Sequence, residues 1–370
     1  MRSIINQPVA QKKVLLRVDF NLPMNEKGEI LDFRRMDASL PTIKFLLDRQ
    51  AKVILISHLG RPQGKVVEGL KLKQIASALA RRLGVRQEVD LIQLDSFSAY
   101  KISPALYLLE NIRFYPQEEK NDFRFARSLA NLGELFVNDA FSCSHRAHAS
   151  ISAITRFLPS CAGLALQKEV RMLSQISRHP RKPLVCLLGG AKVQDKIQIL
   201  TALKKADWFL LGGVLANTFL FALGEEVADS KVAQEEVEKA QEIYRQLKEK
   251  IVLPQKPVFG WLEGKRAILD ISKEDVQHFA SYIQKAQTIF WNGTFGLAED
   301  KRYQKGSLAI AHQVIRSKAL SVVGGGDTVA LLDRVGLASR FGFVSLGGGA
   351  MLDFLTNQPM PGLQSLNSSC

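Results

Sequence analysis

The stretch PLVCLLGGAKVQDK at residues 183–196 decides the fold class of this chain. It begins with an uninterrupted apolar run, continues through two glycines, and ends in a helix pattern whose apolar stripe includes Val193, Ile197 and Leu200. A continuous apolar strand is typical of a parallel sheet that helices cover on both faces. The stretch therefore predicts a strand, a tight turn and a helix of an α/β domain.

The same alternation extends along the chain in both directions. In the first half, apolar runs predict strands at 13–18, 52–57, 89–93, 105–109 and 135–138. In the second half, they predict strands at 183–188, 207–211, 288–292, 319–323 and 341–346. A chain of 370 residues also exceeds the roughly 250–300 residues over which one hydrophobic core keeps growing. We therefore predict two doubly wound parallel-sheet (Rossmann-like) domains joined by a helix.

Breaks in the pattern place the domain boundaries. A helix pattern follows the first series of strands and is interrupted by the run HPRKP at 179–183. We predict an N-terminal domain at 1–158, an interdomain helix and linker at 159–182, a C-terminal domain at 183–355, and a tail at 356–370.

The charge balance is strongly basic but evenly spread. Fifty Lys and Arg against 36 Asp and Glu give a net charge of +14, and neither half holds a block of like charges. A solvated basic surface accounts for most of these residues, and a smaller number could bind anionic ligands. Nucleic acid is an unlikely partner, because basic and aromatic residues are not interleaved.

Cysteine usage and the N-terminus indicate the cellular setting. Cys143, Cys161, Cys186 and Cys370 show neither CxxC pairing nor the spacing of metal ligands. The first residues lack the apolar core of a signal peptide, and no run approaches the ~18 apolar residues of a membrane span. We expect a reduced, soluble, cytoplasmic protein, with no membrane partner, that acts as a monomer.

Glycines recur where the predicted strands of the second half end. They lie at 189–190, 212–213, 293, 324–326 and 347–349. Parallel sheets bind ligands beyond the carboxyl ends of their strands, and glycine there lets backbone N–H groups approach an anion. These turns predict a phosphate-bearing ligand, although tight packing also requires glycine. Neither GxxxxGK[ST] nor a GxGxxG after the first strand occurs, so this is neither a Walker A site nor a dinucleotide fold.

Two groups of polar residues accompany these turns. Lys192 and Lys196 lie four positions apart at a predicted helix start, where an anion would offset their unfavourable interaction with the helix dipole. The alternative is that both lysines extend into water. Asp327 precedes Thr328 at another helix start, where it could hold Mg²⁺ beside a polyphosphate or serve only as an N-cap.

The first half places arginine and histidine at strand ends. The motifs are RVDFN at 17–21, SHLGRP at 57–62, ENIRF at 110–114 and SHRAHAS at 144–150. Arginine binds carboxylate and phosphate through two parallel hydrogen bonds, so the pattern predicts a pocket for a compact polyanion. Each arginine taken singly could be a surface residue. The His-Arg-Ala-His cluster lacks the ligand spacing of a catalytic metal site.

At this point the chain resembles the phosphoglycerate kinase family over essentially its whole length. Besides the four motifs above, VNDAF at 137–141, GGAKVQDK at 189–196, WNG at 291–293, GGGD at 324–327 and GGGA at 347–350 occur in the order of that family. The resemblance implies reversible phosphoryl transfer between 1,3-bisphosphoglycerate and ADP, giving 3-phosphoglycerate and ATP. It also implies that a hinge closes the two domains for in-line transfer, and that the tail packs on the N-terminal domain.

The resemblance assigns roles to individual residues. Catalysis is expected of Arg35, Lys192 and Lys196. Phosphoglycerate binding is expected of Asp19, Phe20, Asn21, Arg35, His58, Leu59, Gly60, Arg61, Arg113 and Arg146. Binding of the nucleotide is expected of Gly190, Lys192, Lys196, Gly213, Asn292, Glu299, Gly325, Gly326, Asp327 and Thr328. Mg²⁺ is expected to bind with the nucleotide at Asp327.

Departures from the family pattern lie on the nucleotide side. Val214 stands at the third position of a GGG motif, Thr294 follows WNG, and Leu346 replaces a hydroxyl residue. The stretch 254–270 is shorter than usual in the family. These differences predict weaker or less selective nucleotide binding with transfer chemistry retained. A binding protein that keeps the fold without turnover is the alternative, and retention of both Arg35 and Lys192 argues against it.

Overall fold

The computed structural model describes residues 1–86 and 89–368, and this part of the chain forms two compact units. Unit 1 comprises residues 1–170 and a segment that begins at Pro359, and unit 2 comprises residues 171–358. The division falls within a helix, Leu164–Ser177, inside the stretch predicted as a linker.

Unit 1 contains a sheet with helices on both faces. Its strands are β1 (Lys13–Arg17), β2 (Lys52–Ile56), β3 (Asp90–Leu94), β4 (Phe97–Ser103), β5 (Leu106–Leu109), β6 (Leu135–Asn138) and β7 (Ser160–Ala162). Their order across the sheet is β3-β4-β5-β2-β1-β6-β7. Both neighbours of β1 run parallel to it, so β1 is central and its apolar side chains are buried.

Successive residues of β1 pack into different cores. Val14 and Leu16 join one cluster of buried side chains with Ile43 and Ile75, whereas Leu15 joins another with Leu129. Side chains alternate between the faces of a strand, so a strand buried on both faces must be apolar throughout. The helices of unit 1 are α1 (Arg34–Leu47), α2 (Lys73–Arg82), α3 (Pro116–Glu119), α4 (Phe123–Ala130) and, at the boundary with unit 2, α5 (Leu164–Ser177).

Unit 2 contains a parallel sheet and a separate hairpin. The strands are β8 (Leu184–Leu188), β9 (Trp208–Leu211), β10 (Ile251–Val252), β11 (Pro257–Leu262), β12 (Lys265–Ile271), β13 (Thr288–Asn292), β14 (Leu320–Gly324) and β15 (Phe343–Val344). The sheet has the order β10-β9-β8-β13-β14-β15, and β11 pairs with β12 in an antiparallel hairpin. Buried residues such as Trp291, Phe279 and Phe295 form its core.

The helices of unit 2 follow its strands in sequence. They are α6 (Val193–Ala202), α7 (Gly213–Ala222), α8 (Val237–Leu247), α9 (Lys273–Ile283), α10 (Lys305–Arg316), α11 (Gly326–Arg334) and α12 (Gly349–Leu355). The last helix of the chain, α13 (Pro361–Ser368), groups with unit 1, where the N–H of Gly362 donates to the carbonyl of Ser144 at 2.9 Å.

Three features differ from the pattern expected from sequence. The sheet of unit 1 is not wholly parallel, because β4 runs antiparallel to both β3 and β5. Residues 160–162, predicted to belong to the linker, form β7 and pair with β6, so they are part of unit 1. The β11–β12 hairpin was not predicted: β11 is apolar in sequence but half-buried or exposed to solvent, and β12 begins with the exposed residues Lys265 and Arg266.

Two expectations about composition bear on the described residues. Cys143, Cys161 and Cys186 are buried free thiols, while Cys370 lies outside the part of the chain that the structure describes. Within residues 1–86 and 89–368, every helix is too short or too polar to span a bilayer.

Candidate active site

In unit 1, the loops that follow β1 and β2 are tied together by predicted site residues. The side-chain Oδ1 of Asn21 accepts a hydrogen bond from the N–H of Gly60 at 2.9 Å. The carboxylate of Asp19 accepts the N–H of Asn21 at 3.0 Å. Because both strands are parallel, their loops lie at the same edge of the sheet, and these bonds fix the loops to each other.

Arg35 lies in the first turn of α1 and points back to the end of β1. Its Nη1 donates to Asp19 Oδ2 at 2.7 Å and to the carbonyl of Asn21 at 3.3 Å. The hydroxyl of Ser142 also donates to the Asp19 carboxylate. The Arg35 side chain remains 30% exposed, whereas that of Asp19 is 8% exposed. The carboxylate therefore holds the arginine in place while part of its guanidinium stays accessible to a ligand.

Several guanidinium groups gather around His58. Burial, followed by the charges of Arg17, Arg113, Arg35 and Arg146, holds the pKa of His58 well below its usual value. His58 is therefore neutral at physiological pH. A set of like charges near one buried imidazole is unfavourable unless an anion neutralises it, so this region suits a compact polyanion.

The other predicted arginines of unit 1 differ in burial. Arg113 is buried, and its Nη1 donates to the carbonyl of Gly60 at 2.8 Å while its Nε lies 3.3 Å from Glu119. Burial lowers the pKa of its guanidinium. Arg146 is half-buried and donates to Nε2 of His145, and Arg61 is exposed.

Two predicted phosphoglycerate residues have side chains in the hydrophobic core. Phe20 is fully buried and Leu59 is 4% exposed, and both pack in the same cluster as Val14 and Leu16. A ligand at the strand ends is thus offered only their backbone. Phe20 shows this arrangement, because its N–H donates to the hydroxyl of Ser57 at 2.9 Å.

Sequence reasoning assigned no role to three residues that contact the predicted site, which are Arg17, Ser142 and Cys143. It also missed Glu118, which reaches the site through Ser150 and Arg17. Arg17 ends an apolar strand within the motif RVDFN, and a charged residue there was the available signal. Glu118 lies in the short helix α3, and Ser142 and Cys143 lie in a 3-10 turn after β6. Their proximity to the site depends on the tertiary fold.

One cluster in this region has the composition of a metal site. Ligand atoms of Asp19, His58 and Cys143 lie within 4.8 Å of one another. However, the Asp19 carboxylate already binds Arg35, and Nδ1 of His58 accepts from Arg17 at 3.3 Å. The surrounding guanidinium groups also oppose a cation. The electrostatics therefore favour an anion over a metal ion here.

In unit 2, glycine-rich turns interlock at the carboxyl ends of the strands. The N–H of Gly190 donates to the carbonyl of Thr294 at 2.8 Å, and the N–H of Gly213 donates to the carbonyl of Phe295 at 3.0 Å. A Cβ on Gly293 would lie 2.0 Å from the carbonyl oxygen of Gly189. Several of these glycines are thus required by the packing of the turns against each other, which is the alternative to ligand binding stated from the sequence.

Other glycines face open space. A Cβ on Gly326 would meet no atom within 4 Å, although Gly326 is the first residue of α11. The preceding Gly325 has φ +95°, a conformation that L-residues rarely adopt. The first turn of α11 is therefore open beside Gly326, whereas a Cβ on Gly325 would lie 2.6 Å from Asn292 Nδ2. An anion that binds the N–H groups of this helix start would approach on the Gly326 side.

Asn292 and Thr328 hold the loops around this helix start. Asn292 Nδ2 donates to the carbonyl of Gly324 at 2.9 Å, and Thr328 Oγ1 accepts the N–H of Gly293 at 2.8 Å. Both residues are buried. The Oδ1 of Asn292 is buried and has no hydrogen-bond partner among the described residues. Unpaired buried acceptors are uncommon, so this amide oxygen is available to a bound group.

Lys192 and Lys196 occupy different environments. Lys192 is exposed and occupies the N-cap position before α6, without a capping hydrogen bond from its side chain. Lys196 is 7% exposed, which excludes the alternative that it extends into water. The pKa of Lys196 is lowered, chiefly by burial. The charge of Asp195 partly offsets this effect, and smaller contributions come from Lys192, which lowers the pKa, and Asp327, which raises it.

Asp327 lies in the first turn of α11 and is exposed. The residue at the N-cap is Gly325, so the alternative interpretation of Asp327 as an N-cap is wrong. Its carboxylate lines a cavity of about 380 Å³. An exposed carboxylate at a helix start is suited to hold a cation that also binds phosphate oxygens.

The cavity brings together part of the predicted nucleotide site and the unpredicted hairpin. Gly190, Gly213, Glu299 and Asp327 line it. Its wall also includes Val214, Asn217, Asp229, Lys231, Leu262, Glu263, Lys265, Ala267, Ile268, Leu269, Thr294 and Phe295. The shortened stretch 254–270 thus contributes much of the apolar wall, which could pack against a flat ring.

Comparisons with known protein sequences agree with this geometry. A family model described as "Phosphoglycerate kinase" matches residues 4–358. A phosphoglycerate kinase of Moorella thermoacetica is 40% identical, over 96% of this chain and 96% of its own length. One of Thermomicrobium roseum is also 40% identical, over 99% of each chain.

Solved structures give the same result. The structure of phosphoglycerate kinase from Coxiella burnetii is 33% identical and has a TM-score of 0.89, with 99% of this chain and 98% of that chain covered. That from Pyrococcus horikoshii is 28% identical with a TM-score of 0.84, covering 100% and 99%. The matches extend over both units, each with its own group of site residues, and the chain belongs to the phosphoglycerate kinase family.

Proposed function

We propose that this protein transfers a phosphoryl group between 1,3-bisphosphoglycerate and ADP, giving 3-phosphoglycerate and ATP reversibly. The observation that carries the proposal is the group of arginines around Asp19 and His58, within a chain of this family. Family membership favours this enzyme over the binding protein without turnover.

The phosphoglycerate binds at the strand ends of unit 1. Arg35, Arg113 and Arg146 supply guanidinium groups for its phosphate and carboxylate oxygens, with exposed Arg61 nearby in sequence. Asn21 and Gly60 join the two loops beneath the ligand, and Phe20 and Leu59 contribute their backbone to these loops. Each charged group of this small ligand thereby gains a fixed partner.

The nucleotide binds at the turns and cavity of unit 2. The open start of α11 receives phosphate at Gly325, Gly326 and Thr328, and Lys192 and Lys196 add positive charge. Gly190 and Gly213 line the cavity beside this helix start, with Asn292 at the end of β13, and we assign Glu299 of the cavity wall to the ribose. Asp327 would hold Mg²⁺ together with phosphate oxygens, and the ion would neutralise their charge.

Transfer between an acyl phosphate and ADP needs alignment and charge neutralisation. The transition state is loose and spreads negative charge over the transferred group. Arg35 and Lys192 have accessible cationic groups that meet this need, and Lys196 supports the nucleotide phosphates. No covalent intermediate on the protein is required.

The test compares two neighbouring arginines of α1. We expect Arg35→Met to lower kcat by about 10²–10³-fold in a coupled assay of ATP formation. Arg34→Met, which removes a guanidinium paired with Asp32, serves as the matched control and should retain turnover within about 3-fold. Equal losses in the two variants would refute the proposed role of Arg35.

We also infer that the protein works as a monomer in the cytoplasm. Its three described cysteines are buried thiols, which fits a reducing compartment. Light scattering at micromolar concentration tests the first statement, and localisation of the tagged full chain tests the second.

A further inference from the structure

A fully buried arginine lies behind the predicted phosphoglycerate site. Arg17 is 0% exposed, and its Nη1 donates to the carbonyls of Val18 at 2.5 Å and Ile56 at 3.4 Å. Its Nε donates to Ser150 Oγ at 2.9 Å, and its Nη2 lies 3.3 Å from Nδ1 of His58. Because all its groups are held, this guanidinium has one orientation.

The anchor of this arginine is a buried carboxylate. Glu118 is 0% exposed and accepts the hydroxyl of Ser150 at 2.6 Å and its N–H at 2.9 Å. Arginine can only donate and an ionised carboxylate can only accept, so the Ser150 hydroxyl accepts from Arg17 and donates to Glu118. Burial raises the pKa of Glu118, and the Arg17 charge partly offsets that effect. Arg17, Ser150 and Glu118 thus form a series of hydrogen bonds in which each donor and acceptor is fixed.

The direction of these hydrogen bonds determines the tautomer of His58. An arginine N–H must donate to Nδ1, so Nδ1 carries no proton and the neutral ring carries its proton on Nε2. Among the described residues, the hydrogen bonds of the His58 ring involve Nδ1. The Nε2–H thus remains as a donor.

We propose that Glu118, acting through Ser150 and Arg17, positions His58 as a neutral donor whose Nε2–H binds an anionic oxygen of phosphoglycerate. Arg17, Ser150 and Glu118 are positioning residues, because they act on the ligand through the imidazole. The inference rests on the proposed binding of phosphoglycerate in unit 1.

The energetics favour a positioning role over a contribution to stability alone. A buried ion pair gains little over apolar residues of the same shape, because both charges lose their hydration. Such a pair does impose a unique arrangement on its neighbours when every group is satisfied. Here that arrangement ends at the imidazole of His58, among the guanidinium groups of the proposed phosphoglycerate site.

The experiment removes the hydroxyl that joins Arg17 to Glu118 and keeps both charged side chains. Ser150→Ala eliminates the hydroxyl between Arg17 and Glu118. We expect the KM for 3-phosphoglycerate to rise on the order of 5- to 20-fold, while the KM for ATP and kcat change by less than about 2-fold. We also expect ¹⁵N chemical shifts of His58, in protein labelled at histidine, to move from the pure Nε2–H pattern to a tautomer mixture.

A matched variant separates positioning from loss of stability. Thr155→Val removes another buried hydroxyl of unit 1, which donates to the carbonyl of Ser152 at 2.8 Å. It should lower the melting temperature comparably and leave both the tautomer and the KM for 3-phosphoglycerate unchanged. An unchanged His58 tautomer, or an unchanged KM, in Ser150→Ala overturns the inference.

A separate measurement tests the function on which the inference rests. Titration of the wild-type protein with 3-phosphoglycerate should shift the His58 Nε2 resonance. One outcome separates the two proposals: the resonance does not shift, while Ser150→Ala still alters the tautomer. The ligand then binds elsewhere, so the proposed function of unit 1 fails although the hydrogen bonds from Glu118 to His58 stand.

Discussion

Gly293 and Gly326 illustrate two different reasons for glycine at strand ends of unit 2. Gly293 has φ +100° and lies against the carbonyl of Gly189, so it is required by packing. Gly326 has open space where its Cβ would be. Both follow a strand, and only the surroundings distinguish a glycine that fits the fold from one that leaves room for a ligand.

These surroundings predict opposite effects of the same substitution. Gly326→Ala should leave the melting temperature within about 2 °C, because alanine is favoured in helices, and should raise the KM for ATP about 10-fold or more by blocking phosphate. Gly293→Ala should cost at least about 3 kcal/mol of unfolding free energy, because its methyl would overlap backbone. Thermal unfolding and steady-state kinetics measure both, and similar melting temperatures would contradict the assignment.

At the scale of elements, the start of α5 depends on a carboxylate from another loop. Asp139 follows β6, and its Oδ1 accepts the N–H groups of Ala165 at 2.8 Å and Leu166 at 3.1 Å. The carboxylate also hydrogen-bonds to the side chain of Thr42. Burial raises the pKa of Asp139 to about 6 despite these bonds. The helix is thus capped by a group that binds a proton more tightly in the folded state.

This capping group should make folding stability depend on pH. Because the folded pKa of about 6 lies above the ordinary 3.8, protonation of Asp139 favours the folded state below pH 3.8, and this contribution is lost as the pH rises through 6. Asp139→Asn keeps an Oδ1 acceptor and cannot ionise. The unfolding free energy of this variant relative to wild type should increase by about 2 kcal/mol between about pH 4.5 and about pH 7.5. Urea denaturation followed by circular dichroism measures this difference, and a pH-independent value would be inconsistent with it.

The first turn of α7 determines one side of the proposed nucleotide cavity. Val214 is the second residue of that helix and lines the cavity together with Leu262 and Phe295. A branched side chain here takes space that backbone alone would leave free. The size of the cavity is therefore set partly by this residue and partly by the β11–β12 hairpin.

Val214→Gly should restore that space. We expect the affinity for ADP to increase about 3- to 10-fold and selectivity over GDP and IDP to improve, at a cost of about 0.5–1 kcal/mol in helix stability. Titration with the three nucleotides measures the change. Val237→Gly at the first position of α8 is the stability control. Wild-type protein that already prefers ADP at the family's usual affinity would refute the expected loss of selectivity.

At the scale of the whole molecule, both units carry cationic groups at their proposed ligand sites. Unit 1 presents the arginines around His58, and unit 2 presents Lys192 and Lys196. The net charge of +14 adds a long-range attraction for anionic substrates. Both substrates of the proposed reaction are polyanions, so the charge distribution serves their capture rather than the fold.

This charge predicts a salt dependence that affects binding more than chemistry. Raising NaCl from about 0.02 M to about 0.3 M should increase the KM for both 3-phosphoglycerate and ATP several-fold, because exposed charges are screened. The kcat should change much less, since bound groups are shielded from salt. Initial rates across the series measure this, and a fall confined to kcat would show that capture is not electrostatic.

Local patterns predicted much of the fold and the candidate site. The buried strands β1, β2, β8 and β13 were predicted because continuous apolar runs need burial on both faces. The hairpin, the antiparallel β4 and the network of Arg17 with Glu118 were not. Half-exposed strands leave a weak pattern, and a residue such as Glu118 gains its role from partners 32 positions away or more.

The amino-acid sequence by itself determined the α/β class, the motifs at strand ends and the kind of ligand they suit, because each depends on neighbours in the chain. Only the tertiary structure decided which glycines leave room for a ligand, that Lys196 is buried while Lys192 is exposed, and which nitrogen of His58 carries the proton. Those properties depend on atoms from distant segments, whose distances and burial set both the free space and the electrostatic field at each group.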